Sequence, residues 1–240
     1  MFKAVTHPAG FSGQAPANAA KPTARMILSR VISDDISAEK KSKWQKAKYH
    51  ALVRLIAVSN HHIGALDLPH LVINQVTLPQ KFNLTGANLR RSEFKQVTMT
   101  AVNLSQSDLS HANMTRCPMK RANLRHATLY YTQLENAHLE GADLRHANLS
   151  QAQLGHAVLN NAKLQNAYFN LTNLYCAKLR YLDLSGAHLK NVDLSGACLR
   201  HANLRNADLR SANLRGTCLN NADLSGAKLN PDSMSDINFR

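Results

Sequence analysis

Hydrophobic positions in this chain recur every five residues. From Leu84 to Phe239 each fifth residue is Leu, Met or Phe, which makes 32 consecutive units with no insertion. Five residues turn an α-helix by about 500°, which scatters the leucines around its axis, and an odd step along a flat strand alternates faces. One shape satisfies the pattern: the chain bends once per unit, and every leucine points from one side of a polygonal coil toward a common axis. The residue two before each centre is small in most units, with Ala at 19 of them and mostly Ser, Thr, Cys or Val in the rest. One large and one small inward position per unit would fill the core. Upstream, Leu66 and Leu68, Leu71 and Ile73, and Val76 and Leu78 keep the spacing one residue out of phase, with the slip near Pro79 and Gln80. They read as a less regular first coil.

Recurring units such as "ANLRH", "ADLRS" and "VDLSG" resemble the A(D/N)LXX motif of the pentapeptide-repeat family, over roughly three quarters of the chain. The resemblance implies a right-handed quadrilateral parallel β-helix with four units per coil, about eight to nine coils in all. The residues support four sides independently. If coils stack every 20 residues, the column Asn83, Asn103, Asn123, Asp143, Lys163, Asp183, Asn203, Asp223 holds seven Asn or Asp among eight. The column Thr98, Pro118, His138, Val158, Lys178, Cys198, Cys218, Asn238 holds one. Asn and Asp suit a bend because their side chains bond nearby backbone groups, so Asp143 and Asp183 read as structural. Eight coils at the strand spacing of about 4.8 Å would make a rod about 38 Å long, packed inside and without an internal ligand pocket.

Before the repeats the pattern changes twice. From Ser37 to about Ser59 it becomes that of an amphipathic helix, with Trp44, Ala47, Ala51, Leu52 and Leu55 on one side, Ile56 at its margin, and Lys43, Lys46, His50 and Arg54 opposite. A solenoid end presents unpaired strand edges, so this helix is expected to cap the first coil. The alternative is a basic surface helix for an anionic membrane or nucleic acid. Residues 1–33 are rich in Ala, Pro, Ser and Thr, contain no acidic residue, and lack the apolar core of a secretory signal peptide. They read as a disordered tail or as a leader for a bacterial effector-secretion system or organelle importer. The expected segments are a basic leader at 1–36, a capping helix at 37–60 and the β-helix at 61–240. At the far end, Pro231 and Asp232 look like devices that blunt strand pairing, and the last coil is a candidate edge for end-to-end dimerisation.

Charge then narrows the functions. The net charge is +14; residues 1–60 carry ten basic and three acidic side chains, residues 61–240 carry 19 and 12. Some members of the resembled family protect DNA gyrase from quinolones, a role attributed to an acidic rod that imitates duplex DNA. A basic rod has the wrong sign, and neither a C-terminal dimerising helix nor room for a projecting loop is expected here. The most distinctive surface feature is Arg200, Arg205, Arg210 and Arg215, one after each of four successive centres, which should form a belt with one arginine per side. Arg180 should lie one coil below Arg200. Together with Lys43, Lys46 and Arg54 they are the candidate partner-binding residues, for an acidic protein or for nucleic acid; plain solvated charge is the competing reading.

Other chemistry is thin. His126 and His146 should stack in one column, but Asn166 follows them and arginines flank them, a poor metal site. His61, His62 and His70 are no better. Cys117, Cys176, Cys198 and Cys218 show no C-x-x-C spacing, so a reducing compartment is the default, although Cys198 and Cys218 should be stacked neighbours on one outer side. "ALVRLIAV" at 51–58 is too short to span a bilayer. The expectation is a non-catalytic protein-interaction scaffold without cofactor or metal, cytoplasmic or exported as a bacterial effector; the alternative is a nucleic-acid- or topoisomerase-associated protein.

Overall fold

In the computed structural model, residues 66–230 and Ile237 are described. The leader at 1–36, the helix at 37–60 with Lys43, Lys46 and Arg54, and the blunting residues Pro231 and Asp232 lie outside them. Within the described chain the inward pattern holds: centres such as Leu104, Leu124 and Leu144 and small partners such as Ala112, Ala122 and Ala142 are fully buried. Two short parallel strands, β1 (Val72–Asn74) and β2 (Glu93–Lys95), pair at the first level. Nearly every later side pairs with the next coil through a single parallel bridge at the residue before the centre, such as Asn83 with Asn103 and Asn103 with Asn123.

Three hydrogen bonds per side tie coil to coil. The amide of Leu84 donates to the Asn103 carbonyl (2.7 Å), that of Gly86 to Ser105 (2.8 Å), and that of Asn103 back to Phe82 (2.9 Å). At nearly every corner the amide three residues past the centre closes a turn, as Ala87 does onto Leu84 (3.1 Å). The residue two past the centre there has positive φ, from Lys81 to Gly226 at every fifth residue. Few of these are Gly, and His70, His111, His126, His146, His156 and His201 all fall at such corners. Histidine is among the residues that tolerate the left-handed region, so the turn accounts for six of the chain's 12 histidines.

The residue before each centre bends the chain as expected. Asn83 Oδ1 accepts from the Thr85 amide (3.1 Å) and Asp193 Oδ1 from the Ser195 amide (3.0 Å), the side chain bonding two residues ahead. Asn side chains also bond along the column, Asn103 to Asn83 and Asn123 to Asn103. The slip near Pro79 has a structural counterpart. Asp67 pairs with Asn88 and Thr77 with Thr98, 21 residues apart, whereas later pairs are 20 apart. A turn closed by the Phe82 amide on the Pro79 carbonyl absorbs the extra residue.

One level departs from the repeat. Numbering sides by their columns, first through Asn83, second through Asn88, third through Glu93 and fourth through Thr98, the coil at 164–181 meets the coil at 184–201 differently on opposite halves. On the third and fourth sides the amides of Leu174, Cys176, Leu179 and Tyr181 donate to Asp193, Ser195, Cys198 and Arg200. On the first and second sides the equivalent amides of Leu164, Asn166, Phe169 and Leu171 make no backbone bond to the next coil, nor do Asp183 and His188 reach back. Lys163 and Asp183 keep a stretched pairing, but the Tyr168–His188 pairing that would continue the second column is missing. A cleft of about 240 Å³ opens there, lined by residues 164–168 and 183–188. Two oversize inward residues lie at this level. Phe169 occupies a Leu position and Leu182 an Ala position, both buried, and excess core volume forces backbone apart.

Candidate functional site: a basic side without carboxylates

The arginine belt is divided by its neighbours. Arg210 is clamped by Asp208 on the second side, Nε to Oδ1 at 2.9 Å and Nη2 to Oδ2 at 2.7 Å, and Lys190 reaches the same carboxylate at 3.3 Å. The Arg210 side chain, against the opposing cost of burial, and with added bonds from the Arg210 amide and Lys190, holds the Asp208 carboxyl well below the usual range. Arg205, on the first side, lies 3.4 Å from Asp223 in the next coil. Arg215 on the third side and Arg200 on the fourth form no ion pair among the described residues. The sequence therefore placed one arginine per side, but the structure splits them into two neutralised and two open.

Sequence spacing contained part of that division: it singles out Arg210 but not Arg205, whose carboxylate, Asp223, comes from the next coil. Arg210 follows Asp208 with one residue between, as Arg145 follows Asp143, and both arginines fold back onto the carboxylate. Arg205 and Arg215 follow Asn, and Arg200 follows Cys198. Asp at that position supplies charge; Asn and Cys do not.

On the fourth side the cations accumulate. It presents Lys81, Lys120, Arg121, Lys178, Arg180 and Arg200, and one carboxylate, Glu140, which Lys120 engages at 3.2 Å and His138 at 3.5 Å. Above Glu140 the side runs through Asn160, Lys178, Arg180, Arg200 and Asn220 with no carboxylate. Lys178, Arg180 and Arg200 are exposed. Beside them the rings of Tyr181 and His201 stack at the corner, 5.0 Å apart and parallel. Cys198 and Cys218 form the strand column between, paired in parallel register. Arg180 Nε donates to Cys198 Sγ at 3.4 Å.

Elsewhere the candidates separate. His126 and His146 stack with centroids 4.7 Å apart, but no group of three or more His, Cys, Asp or Glu among the described residues is placed to hold a metal. Asp143 and Asp183 are occupied by Arg145 and by Ser185, Gln165 and Asn203. No helix among the described residues is long and apolar enough to cross a membrane.

A four-sided parallel solenoid with a packed core and chemistry confined to its outer columns defines a class of repeat proteins. The family described as pentapeptide repeats matches residues 83–116, 117–155, 152–191 and 187–226, in eight copies, and the chain belongs to that family, whose members fold as right-handed quadrilateral β-helices. Among solved structures it is similar to HetL, a pentapeptide repeat protein involved in heterocyst differentiation regulation from the cyanobacterium Nostoc sp. strain PCC 7120, at 27% identity over 74% of this chain and 90% of that one, with a TM-score of 0.33. It is also similar to full-length QnrB1, a plasmid-mediated fluoroquinolone resistance protein, at 19% identity over 70% and 96%, TM-score 0.30. A third is Rfr23 from the cyanobacterium Cyanothece 51142, at 22% over 72% and 91%, TM-score 0.20. No curated protein sequence matches the chain.

Proposed function

We propose that the protein is a non-catalytic scaffold that docks an acidic protein surface on its fourth side, through Lys178, Arg180 and Arg200. The observation that carries this reading is the stretch from Asn160 to Asn220, where those cations face solvent without a carboxylate. Nearby arginines on the first and second sides are already engaged. Complementary charge steers association and selects partners. Nucleic acid is the weaker reading. Strong phosphate binding draws on roughly six to ten contacts, and this stretch supplies three cations. The bases would find one exposed ring pair, Tyr181 and His201, and no aromatic platform.

Residues 1–33, with four basic and no acidic side chains, support a finer reading as the export leader of a bacterial effector; deleting them should abolish export and leave the rod folded, and unchanged export would sink that part alone. For docking, the wild type, the double variant Arg180→Glu/Arg200→Glu and the control Arg210→Glu serve as baits in nuclease-treated lysate at low and moderate salt. The reading expects a discrete acidic protein held by wild type and control, released by the double variant and weakened by salt. Equal recovery by all three baits, or recovery of nucleic acid alone from untreated lysate, overturns it.

A further inference from the structure

Three of the four cysteines differ in their hydrogen bonding. Cys117 occupies an inward small position, fully buried, and its thiol donates to the Phe94 carbonyl at 3.1 Å. Burial pushes it up to about 11, which leaves it a small hydrophobe. Cys198 and Cys218 are half-buried on the fourth side. Cys218 Sγ contacts Asn220 Oδ1 at 2.6 Å; an amide oxygen only accepts, so Cys218 is the donor and a thiol. Cys198 Sγ receives from Arg180 Nε; a guanidinium only donates, so Cys198 is the acceptor, and its sulfur is where negative charge is stabilised. The backbone amide of Arg200 also points at it. Against the opposing cost of burial, these bonds and the Arg180 charge lower the Cys198 thiol below its ordinary range.

We infer that Cys198 is a nucleophilic thiolate placed to form a mixed disulfide with an anionic low-molecular-weight disulfide, whose carboxylates Arg180 and Arg200 attract. In the step, the Cys198 sulfur attacks one sulfur of the reagent, a new S–S bond forms as the reagent's own S–S bond breaks, and the departing half leaves as a thiolate that takes a proton from water. No further oxidant is needed. Cys218 is poorly placed to displace the adduct. In-register parallel neighbours project their side chains in the same direction, so their Cβ atoms stay near the strand spacing of about 4.8 Å, beyond the roughly 3.5–4.5 Å a disulfide takes. The mixed disulfide is therefore the end product.

The assignment stands whatever protein docks on this side. To test it, full-length protein at neutral pH is exposed briefly to oxidised glutathione, which is anionic, or to cystamine, which is cationic; acid stops the reaction and peptide mass spectrometry reads the modified cysteine. Glutathione should appear on Cys198 first, about threefold or more ahead of Cys176 and Cys218, since gain in thiolate outweighs loss of nucleophilicity. Relative to a free cysteine standard, glutathione disulfide should be favoured over cystamine, with the preference shrinking at high salt. Cys198→Ser should remove the main adduct, Arg180→Met should slow it and weaken the charge preference, and Cys218→Ser should leave it. Equal labelling of the three cysteines, no charge preference, or a Cys198–Cys218 disulfide as first product would overturn the assignment.

Discussion

The coils at 164–181 and 184–201 meet twice, once closed and once open. On the third and fourth sides four amides in succession find carbonyls in the next coil; on the first and second sides their counterparts find none. Both halves share the five-residue pattern and the positive-φ corners. What differs is volume, with Phe169 and Leu182 beside the open half. The comparison ties the missing ladder to this one level. Phe82 also fills a small position, before Leu84, and its ladder stays closed, so it is the pairing of Phe169 with Leu182 that marks the open half.

The largest expected effect is a contrast between two identical substitutions. Leu144→Ala, at a fully buried centre in a closed level, should cost about 3 kcal/mol by leaving a cavity. Leu182→Ala should cost less than about 1 kcal/mol, because it restores the family's usual small residue and lets the coils approach. Urea unfolding of both variants decides it. Equal losses would mean that Leu182 is not what separates the coils.

Amide exchange reads the same contrast without mutation. Leu164, Asn166, Phe169 and Leu171 should exchange on the order of a hundredfold faster than Leu174, Cys176, Leu179 and Tyr181, since unbonded amides need no unfolding to meet water. In Leu182→Ala the gap should narrow. Uniform protection around the level would close the cleft as a feature of the molecule.

Two glycines sharpen the comparison at smaller scale. Gly186 lines the cleft and Gly196 lies in the closed half, and both have positive φ, +67° and +64°. A Cβ on Gly186 would meet nothing within 4 Å, whereas on Gly196 it would meet Cys176 Sγ at 2.8 Å. Gly186→Ala should therefore cost about 1 kcal/mol for the left-handed backbone. Gly196→Ala should cost more, by whatever moving the Cys176 side chain requires. Matched melting curves give the difference, and a Gly196 variant no worse than the Gly186 one would contradict the close packing there.

Much of this was legible in the sequence. Leucine spacing specified the coil, the Asn and Asp column specified four sides, and the mismatch around Pro79 and Gln80 became the one-residue offset between Asp67–Asn88 and Asn83–Asn103. The left-handed corner was also present, as Gly, Asn and His recurring two residues past the centre, but histidine there invites a metal reading before a conformational one. Phe169 and Leu182 could have been recognised as oversize; that they act on the same level follows only once coils are stacked. The Arg180–Cys198 contact spans 18 residues, so which cysteine gains the guanidinium depends on side-chain reach between coils. No spacing rule specifies that.

The smallest effect tests the second division in the molecule, between clamped and open arginines. Because Arg210 lowers the Asp208 carboxyl below its ordinary 3.8, the folded state holds that proton less tightly than the unfolded chain does. The clamp's stabilisation is thus fully present above about pH 4 and is lost as pH falls through the lowered value. Arg210→Gln should lower the melting temperature slightly at neutral pH and reduce the further loss between about pH 4 and pH 2, because less remains to be titrated away. Arg200→Gln removes a cation with no carboxylate to release, so its melting profile should run parallel to the wild type at every pH. Scanning all three proteins from pH 2 to 7 separates the cases. A pH-dependent defect in the Arg200 variant would mean that a carboxylate engages Arg200 after all, and the fourth side would lose the open cation on which docking depends.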